Sequence, residues 1–471
     1  MTRRLAPDLC VIGAGSGGLS VAAGAAQMGA EIVLIERGLM GGDCLNFGCV
    51  PSKSLLAAAR RAYLSRRGAA LGITAAPSQI DFAAVADSVQ EVIATIAPND
   101  SVERFERLGV KVLRAEARFT GPRTVLAGEV EIRPRRFVIA TGSHPAVPVI
   151  PGLDGVPYLT NETIFANREL PEHLIIIGGG PIGIEMAQAH RRLGARVTVI
   201  DVGPLLPRDD PELAASLAER LADEGVVTRP RVEIAQIERD GEAMIVRLAG
   251  GERIAGSHLL VATGRRPTIE ALDLPAAGIA VTAKGITVDA RLRTTNRRAF
   301  AVGDVAGGPQ FTHIANYHAG IVIRNALFRL PARVDYRALP WVTYTDPELA
   351  QVGLTEAAAR ADGADVRVLR WPFVENDRAQ TERDTEGLVK IMVGRNGRIL
   401  GASILGAGAG DLILPWALAI SQKLKIGALA NLIAPYPTRS EASKRAAGCY
   451  YTPTLFSART RRLVRFLARF G

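Results

Sequence analysis

Two cysteines five residues apart are the side chains of this sequence best suited to redox chemistry. Cys44 and Cys49 lie in the segment GGDCLNFGCVPSK, at the start of a predicted helix. In a regular helix such residues are about 7.5 Å apart along the axis, whereas a disulfide needs Cα atoms within about 4.4–6.8 Å. The first turn must therefore be distorted, which Gly48 favours. A helix N-terminus stabilises a thiolate and lowers the pKa of Cys49, so the segment predicts a redox-active pair.

The remaining cysteines argue against a metal site. A zinc site needs four ligands, whereas Cys10 falls in a predicted buried strand and Cys449 is isolated near the end of the chain. We therefore expect no bound metal. We also expect Cys449 to be a small buried or half-exposed residue. Four cysteines in 471 residues exclude a disulfide-stapled secreted scaffold.

A glycine motif near the N-terminus predicts the first of two nucleotide sites. Gly13, Gly15 and Gly18 follow the G-x-G-x-x-G pattern between an apolar strand and a helix. The first glycine permits the turn, the second lets the backbone approach a pyrophosphate, and the third allows close helix–strand packing. Glu36, 18 residues after Gly18, is placed to accept hydrogen bonds from ribose hydroxyls.

The same pattern returns in the middle of the chain and predicts a second site. Gly178, Gly180 and Gly183 are followed, again after 18 residues, by Asp201. A carboxylate repels a 2′-phosphate, so NADH is favoured over NADPH as the ligand, although Arg208 could still reach a phosphate. Two copies of one βαβ unit imply two dinucleotide sites.

The elements around these motifs predict an α/β fold. The segments RFVIATG and HLLVATG read as strands that return to the sheet after each unit, and AVGDVAG reads as a strand followed by a turn. From about Trp341 the chain alternates between apolar and polar residues and turns at Asn396–Gly397, which is a hairpin signal. We expect two Rossmann-like dinucleotide-binding domains and a separate C-terminal α+β domain.

Taken together, these motifs resemble those of the pyridine nucleotide–disulfide oxidoreductases, which include dihydrolipoamide dehydrogenase, glutathione reductase and mercuric reductase. The resemblance spans nearly the whole chain and implies FAD, NAD(H) and a homodimer whose active site is completed by the partner subunit. It implies an FAD-binding domain (1–150) with the cysteine pair, an NAD(P)-binding domain (151–272), a second FAD-binding or central part (273–340) and a dimerisation domain (341–471).

The resemblance also implies roles for individual residues. Cys44 would be the outer, substrate-facing thiol and Cys49 the charge-transfer thiolate against the flavin, while Lys53 would lie near flavin N5, paired with Glu185. The residues expected to bind the two cofactors are Gly13, Gly15, Ser16, Gly17, Gly18, Glu36, Lys53, Thr141, Gly142, Ser143, Asp304, Thr312, His313, Gly178, Gly180, Pro181, Ile182, Gly183, Asp201 and Gly264. Among these, Asp304 would hold the ribityl chain of FAD.

One departure from the family pattern concerns the electron acceptor. Members that exchange thiols carry a His-Pro-Thr segment near the C-terminus, but here the segment is APYPTRSE, with Tyr436 in the histidine's place and Glu441 retained. A phenol, with a pKa of about 10 against about 6.5 for imidazole, is a poor acid–base catalyst at neutral pH. Mercuric reductases also carry a tyrosine here, but this chain has neither their metal-binding module nor their terminal cysteine pair. The acceptor is left open between a sulfur compound and a soft metal, with mercuric reductase and dihydrolipoamide dehydrogenase as alternatives.

Charge and hydropathy argue against a nucleic-acid-binding protein and against a membrane-spanning protein. The net charge is +10, but no nucleic-acid motif is present and aromatic residues make up only 5% of the chain, so nucleic-acid binding is not expected. The apolar stretch 401–420 is interrupted by Asp411 and Pro415 and reads as a buried core helix with a flanking loop rather than a membrane span. A cytoplasmic location is expected.

The sequence ends in a basic amphipathic segment. Leu463, Val464, Leu467 and Phe470 share one face of a predicted helix, and the arginines lie largely away from it. Such a helix can lie on an anionic membrane, which would suit a non-catalytic, membrane-docked redox sensor. The favoured expectation is a terminal helix packed against its own protein with its arginines in solvent.

Overall fold

The computed structural model describes residues 3–73, 79–361, 363 and 365–470. Its strands are β1 (Arg3–Leu5), β2 (Leu9–Ile12), β3 (Ile32–Glu36), β4 (Val110–Arg114), β5 (Ala117–Gly121), β6 (Thr124–Ala127), β7 (Val130–Ile132), β8 (Arg136–Ile139), β9 (Ser143–Pro145), β10 (His173–Ile177), β11 (Arg196–Asp201), β12 (Val226–Pro230), β13 (Ile234–Asp240), β14 (Ala243–Leu248), β15 (Arg253–Gly256), β16 (His258–Val261), β17 (Arg265–Pro267), β18 (Val281–Thr282), β19 (Gly285–Ile286), β20 (Ala299–Ala301), β21 (Pro340–Thr343), β22 (Glu348–Gly353), β23 (Arg367–Pro372), β24 (Leu388–Val393) and β25 (Ile399–Gly406). Its helices are α1 (Ser16–Gln27), α2 (Gly42–Asn46), α3 (Cys49–Ser65), α4 (Phe82–Ile96), α5 (Val102–Arg107), α6 (Pro181–Leu193), α7 (Pro211–Asp223), α8 (Thr312–Ala326), α9 (Glu356–Ala361), α10 (Asp377–Glu382), α11 (Ala409–Leu412), α12 (Leu414–Ser421), α13 (Ile426–Ala430), α14 (Glu441–Gly448), α15 (Thr452–Leu455) and α16 (Ala458–Leu467).

The first parallel sheet carries the N-terminal glycine motif. Its strand order is β20-β8-β2-β3-β4, and β2 is buried along its whole length. Successive side chains of a strand point to opposite faces. Leu9 and Val11 therefore join one apolar core with α1 and α8, and Cys10 and Ile12 join another with β5, β6 and β7. Burial on both faces explains why β2 is apolar without interruption.

The second parallel sheet repeats this arrangement. Its order is β12-β11-β10-β16, and α6 follows β10 as α1 follows β2. Leu174 and Ile176 pack in the core that includes α6, whereas Ile175 and Ile177 pack against the antiparallel sheet β13-β14-β15. The helix that begins at Cys49, α3, packs along α6. The cysteine pair is thereby held between the two nucleotide-binding units.

The C-terminal domain is built on an antiparallel sheet of order β21-β22-β25-β24-β23. Strands β24 and β25 form a hairpin whose turn contains Asn396 and Gly397, which confirms the predicted hairpin. Trp416 on α12 is fully buried in the core of this domain, and its indole N–H donates to Ser443 Oγ at 3.1 Å. The chain thus has the expected α/β fold with two Rossmann-like units and a C-terminal α+β domain. The domain boundaries stay predictions.

Two expectations about the C-terminal part are wrong. Strand β25 includes the first six residues of the stretch 401–420, and only the remainder is helical, in α11 and α12. A central strand that is buried on both faces is a continuous apolar run, which the sequence pattern cannot distinguish from a buried helix. The terminal helix α16 has no buried residue, so it does not pack against its own chain as favoured. The part of the chain that the structure describes contains no helix with the length and apolar character of a membrane span.

Candidate active site

The two glycine motifs have the same local geometry. Gly13 and Gly178 open their loops with φ of +103° and +118°, a conformation that L side chains rarely adopt. A Cβ on Gly18 would lie 1.8 Å from the carbonyl oxygen of Gly13, and one on Gly183 would lie 1.9 Å from that of Gly178. These four glycines therefore fix the contact between strand and helix.

The middle glycine of each motif faces open space. A Cβ on Gly180 would meet no atom within 4 Å, and one on Gly15 would come no closer than 3.9 Å to another atom. Both residues are the N-caps of their helices, α1 and α6, and both line the large cavity described below. Unpaired N–H groups and the positive end of a helix dipole bind phosphates. The loops therefore fit the pyrophosphates of two dinucleotides.

The acids at the ends of β3 and β11 are held in equivalent positions. Glu36 accepts hydrogen bonds from the backbone N–H of Ala14 and Gly38, each at 2.6 Å. Asp201 accepts them from Gly179 at 2.5 Å and Gly203 at 2.6 Å. Each carboxylate oxygen keeps a second lone pair that ribose hydroxyls can use. At both sites the carboxylate can therefore accept hydrogen bonds from the ribose hydroxyls of an adenosine.

One cavity of about 1480 Å³ connects the two motifs through the cysteine pair. Drug-sized pockets are about 300–1,000 Å³, so this volume is of the size that two extended cofactors require. The predicted residues that line it are Gly13, Gly15, Ser16, Gly17, Glu36, Cys44, Cys49, Lys53, Thr141, Gly142, Ser143, Gly180, Pro181, Ile182, Glu185, Asp201, Gly264, Asp304, Thr312 and His313. The predicted residues outside its lining are Gly18, Gly178, Gly183, Tyr436 and Glu441.

The cysteine pair is divided between two helices. Cys44 lies in the short helix α2, and Cys49 is the first residue of α3, with Gly48 as its N-cap. The backbone at Gly48 (φ −127°, ψ −109°) supplies the expected break. Both thiols are free, and they hydrogen-bond to each other. The second partner of Cys49 is Thr312, whose Oγ1 is 3.2 Å from the sulfur.

These contacts give the two thiols different acidities. The hydrogen bond from Cys44 is the main cause that lowers the pKa of Cys49, to about 6, with further help from Thr312 and the charge of Lys53. The same hydrogen bond and burial raise the pKa of Cys44. In the dithiol form, Cys49 is therefore the thiolate and Cys44 carries the proton.

Lys53 and Glu185 form an ion pair beside the thiols. Lys53 Nζ is 2.8 Å from Glu185 Oε2, and the backbone N–H of Tyr344 donates to Glu185 Oε1 at 2.9 Å. The ammonium also lies 4.4 Å from the centre of the Tyr344 ring. Tyr344 was not among the residues singled out from the sequence, because nothing local connects it with α3.

A second polar network contains the predicted residues Ser143 and Asp304, but sequence reasoning missed its other members, Arg265, Asp43 and Asn161. Arg265 pairs with Asp43 at 3.0 Å, donates to Ser143 Oγ at 2.7 Å and has a side chain that is only 11% exposed. Ser143 in turn donates to Asp304 at 2.5 Å, and burial raises the pKa of Asp304. Asn161 donates to Asp43 at 3.0 Å. Arg265 directly follows the second Ala-Thr-Gly segment. That motif predicts a turn at the end of a strand, but it does not predict an ion pair with Asp43 in α2.

Tyr436 and Glu441, which the resemblance places in the active site of the partner subunit, lie outside the cavity of their own chain. Tyr436 is 70% exposed and donates to Asp377 Oδ2 at 2.9 Å, a contact that raises the pKa of the phenol. Glu441 pairs with Arg445 at 2.9 Å rather than with Tyr436. All six histidines of the chain lie between residues 144 and 318. The C-terminal domain therefore has no imidazole to offer a neighbouring active site.

Comparison with known families agrees with this geometry. Residues 7–319 match the family described as pyridine nucleotide-disulphide oxidoreductase, and residues 339–447 match its dimerisation domain. The chain belongs to this family. FAD is therefore its cofactor class, and the dimerisation domain supports a homodimer.

Relatives within the family have different activities. The chain is 38% identical to a mercuric reductase of Streptomyces lividans over 93% of this chain and 95% of that protein. It is 35% identical to a dihydrolipoyl dehydrogenase of Geobacillus stearothermophilus, over 93% and 95% of the respective chains. The Cu(II) complex of RclA, an HOCl-induced flavoprotein disulfide reductase of Escherichia coli, superimposes with a TM-score of 0.85 at 30% identity, covering 93% of this oxidoreductase and 98% of RclA.

Proposed function

We propose that this oxidoreductase uses NADH and FAD to reduce the Cys44–Cys49 pair, which passes the electrons to a soft metal ion such as Hg(II) or Cu(II). The observation that carries the proposal is the single cavity in which both glycine motifs and both thiols meet. The roles that the family resemblance implies for the cofactor-binding residues are part of the proposal.

The nucleotide preference rests on Asp201. Its carboxylate is anchored by two backbone N–H groups at the rim of the second site, where a 2′-phosphate would be repelled. Arg208 lines the same cavity and is a cation that we expect to compete with this repulsion. For Asp201→Ala we expect a lower KM for NADPH and a higher KM for NADH. An unchanged ratio of the two KM values would contradict the assignment.

In the proposed reaction, FAD would supply the hydride and electron transfer, and the protein would stabilise the thiolate of Cys49. The N-terminal glycine motif and Glu36 would hold FAD, which, when bound, would supply a hydride acceptor for NADH and an electron-pair donor for the Cys44–Cys49 disulfide. The protein holds Cys49 as a thiolate through Cys44 and Thr312 and keeps the Lys53 ammonium beside it. With Hg(II) as the acceptor, the balance is NADH + Hg(II) → NAD⁺ + H⁺ + Hg(0).

The choice of a metal acceptor follows from the pair of thiols and from the residue that replaces the family's acid–base histidine. Two adjacent sulfurs select soft cations, whereas exchange with a dithiol substrate needs a group to take its proton. Tyr436 is poorly suited to that task because its hydroxyl is bound to Asp377 and its pKa is raised. The relatives named for mercury reduction and for a Cu(II) complex support the same acceptor class.

An acceptor panel tests the proposal. We expect the purified holoenzyme to oxidise NADH faster with Hg(II) or Cu(II) than with lipoamide, glutathione disulfide or a quinone. Cys44→Ser should abolish metal-dependent turnover, and the matched variant Cys449→Ser should leave it unchanged. Faster turnover with lipoamide than with either metal would refute the proposed acceptor.

Dihydrolipoamide dehydrogenase activity is the main rival, because a relative of that name is 35% identical. The proposal predicts slow dihydrolipoamide oxidation by the natural chain and a gain on Tyr436→His, since imidazole restores a base near neutral pH. Efficient oxidation by the natural chain, with no gain from the histidine, would favour the rival.

A further inference from the structure

The last thirty residues of the chain carry a concentrated positive charge. After Glu441 the sequence contains seven lysines and arginines and no acidic residue, so this segment supplies seven of the ten net positive charges of the chain. Five of the seven are arginines in or next to α16. We name residues 458–470 the basic helix.

The basic helix separates its apolar side chains from all of its arginines except Arg459, which falls about 40° from Leu463. At about 100° per residue, Leu463, Leu467 and Phe470 fall on one side, and Arg461 and Arg465 fall on the other. Leu463 and Leu467 are each 54% exposed, and Phe470 is 74% exposed. Such exposed apolar side chains on one helix face are unfavourable in water and mark a contact surface.

The chain itself does not cover this surface. Beyond Tyr451, the hydrogen bonds of the described residues stay within the segment, for example from Thr460 Oγ1 to the carbonyl oxygen of Thr454. The arginines of the basic helix form no ion pair with any residue that the structure describes. The match to the dimerisation domain ends at residue 447, before the basic helix begins.

We propose that the basic helix binds the surface of an anionic phospholipid bilayer. Its apolar side chains would enter the boundary between headgroups and acyl chains, while its arginines meet lipid phosphates. At roughly 15 Å for ten residues, α16 is too short to span a bilayer and must lie in its plane. A protein groove would account for the apolar face, but it would also need an acidic rim to meet the arginines, whereas an anionic bilayer supplies both features in one surface.

Vesicle co-sedimentation of the full-length holoenzyme tests the inference. We expect binding to vesicles of phosphatidylglycerol and phosphatidylcholine, little binding to phosphatidylcholine alone, and release by salt. Arg461→Glu/Arg465→Glu should weaken binding by at least the factor of about five that one surface arginine contributes. Leu463→Ser/Leu467→Ser should also weaken it. The charge-matched control is Arg395→Glu/Arg398→Glu, and the control for the apolar variant is Val149→Ser; all three positions are exposed and lie outside the basic helix.

Three outcomes would overturn the inference. The first is equal sedimentation with anionic and neutral vesicles, or none with either. The second is binding that the charge variant reduces and the apolar variant does not, which indicates adsorption by charge alone. The third is a change from dimer to monomer in the apolar variant, measured by light scattering, because the face would then be a subunit contact.

Discussion

The low pKa of Cys49 depends on the hydroxyl of Thr312 as well as on the thiol of Cys44. Removing the Thr312 hydroxyl in Thr312→Val takes away a hydrogen bond that favours the thiolate. Because hydrogen bonds to charged groups contribute about 1.5–3 kcal/mol, we expect the pKa of Cys49 to rise from about 6 by about one to two units. Since the folded pKa is depressed, the thiolate persists above about pH 6 and is lost as the pH falls through that value.

The measurement is the pH dependence of alkylation of the reduced enzyme. We expect the midpoint of Cys49 modification to move to higher pH in Thr312→Val and to stay in place in Thr381→Val, a remote exposed threonine. An unmoved midpoint in both variants would show that Thr312 does not tune the thiolate.

Lys53 matters to folding as well as to chemistry. Glu185 is only 4% exposed, so Lys53→Met leaves its carboxylate with the Tyr344 N–H as its remaining described donor. We expect a loss of about 1–3 kcal/mol in stability, seen as a lower Tm. Lys53→Met/Glu185→Gln should recover part of this loss because it removes the buried charge. A double variant less stable than the single one would contradict this account.

At the level of elements, the two kinds of motif glycine should behave differently. Gly183→Ala places a methyl group 1.9 Å from a backbone oxygen and should destabilise the second unit. Gly180→Ala meets no atom of the protein, so it should leave the Tm unchanged and raise the KM for NADH. Thermal melts and NADH kinetics of the two variants check this, and a lower Tm for Gly180→Ala would contradict it.

Secondary-structure elements that carry a local sequence motif could be predicted. Contacts between residues that are far apart in the sequence could not. The two βαβ units could be read from glycine spacing, because each motif needs a strand and a helix in fixed order. The segment of strand β25 was predicted to be a helix, because burial on both faces removes the alternation of apolar and polar residues that marks a strand. Arg265, Asn161 and Tyr344 act through partners more than 100 residues away, and no local pattern records such contacts.

At the scale of the whole molecule, one buried lysine joins two domains. Lys390 on β24 is 2% exposed and donates to Asp210 Oδ1 at 2.9 Å, at the start of α7. Lys390 Nζ also lies 2.7 Å from Glu212 Oε2 and 2.9 Å from Glu356 Oε2, so three carboxylates surround the ammonium group. Arg370 and then Lys390 hold the pKa of Glu212 down to about 2.

Lys390→Met should therefore weaken the whole chain. It leaves the fully buried Asp210 without its cation, and breaking a buried pair costs about 3–5 kcal/mol. Lys390→Met/Asp210→Asn should be more stable than Lys390→Met, and Lys284→Met, at an exposed site, should match the natural chain in Tm. Equal melting of Lys390→Met and Lys284→Met would refute a role for the cluster.

The exposure of Tyr436 has an evolutionary consequence. The two glycine-motif sites include tightly packed glycines such as Gly183, where an added methyl group damages the fold. Tyr436 is 70% exposed, and its described side-chain hydrogen bond goes to one residue, Asp377. Exposed positions of this kind usually tolerate replacement within about 0.5 kcal/mol. Under the proposed function, a lineage can therefore exchange this residue, and with it the acceptor, by a single codon change that leaves the fold of each chain intact.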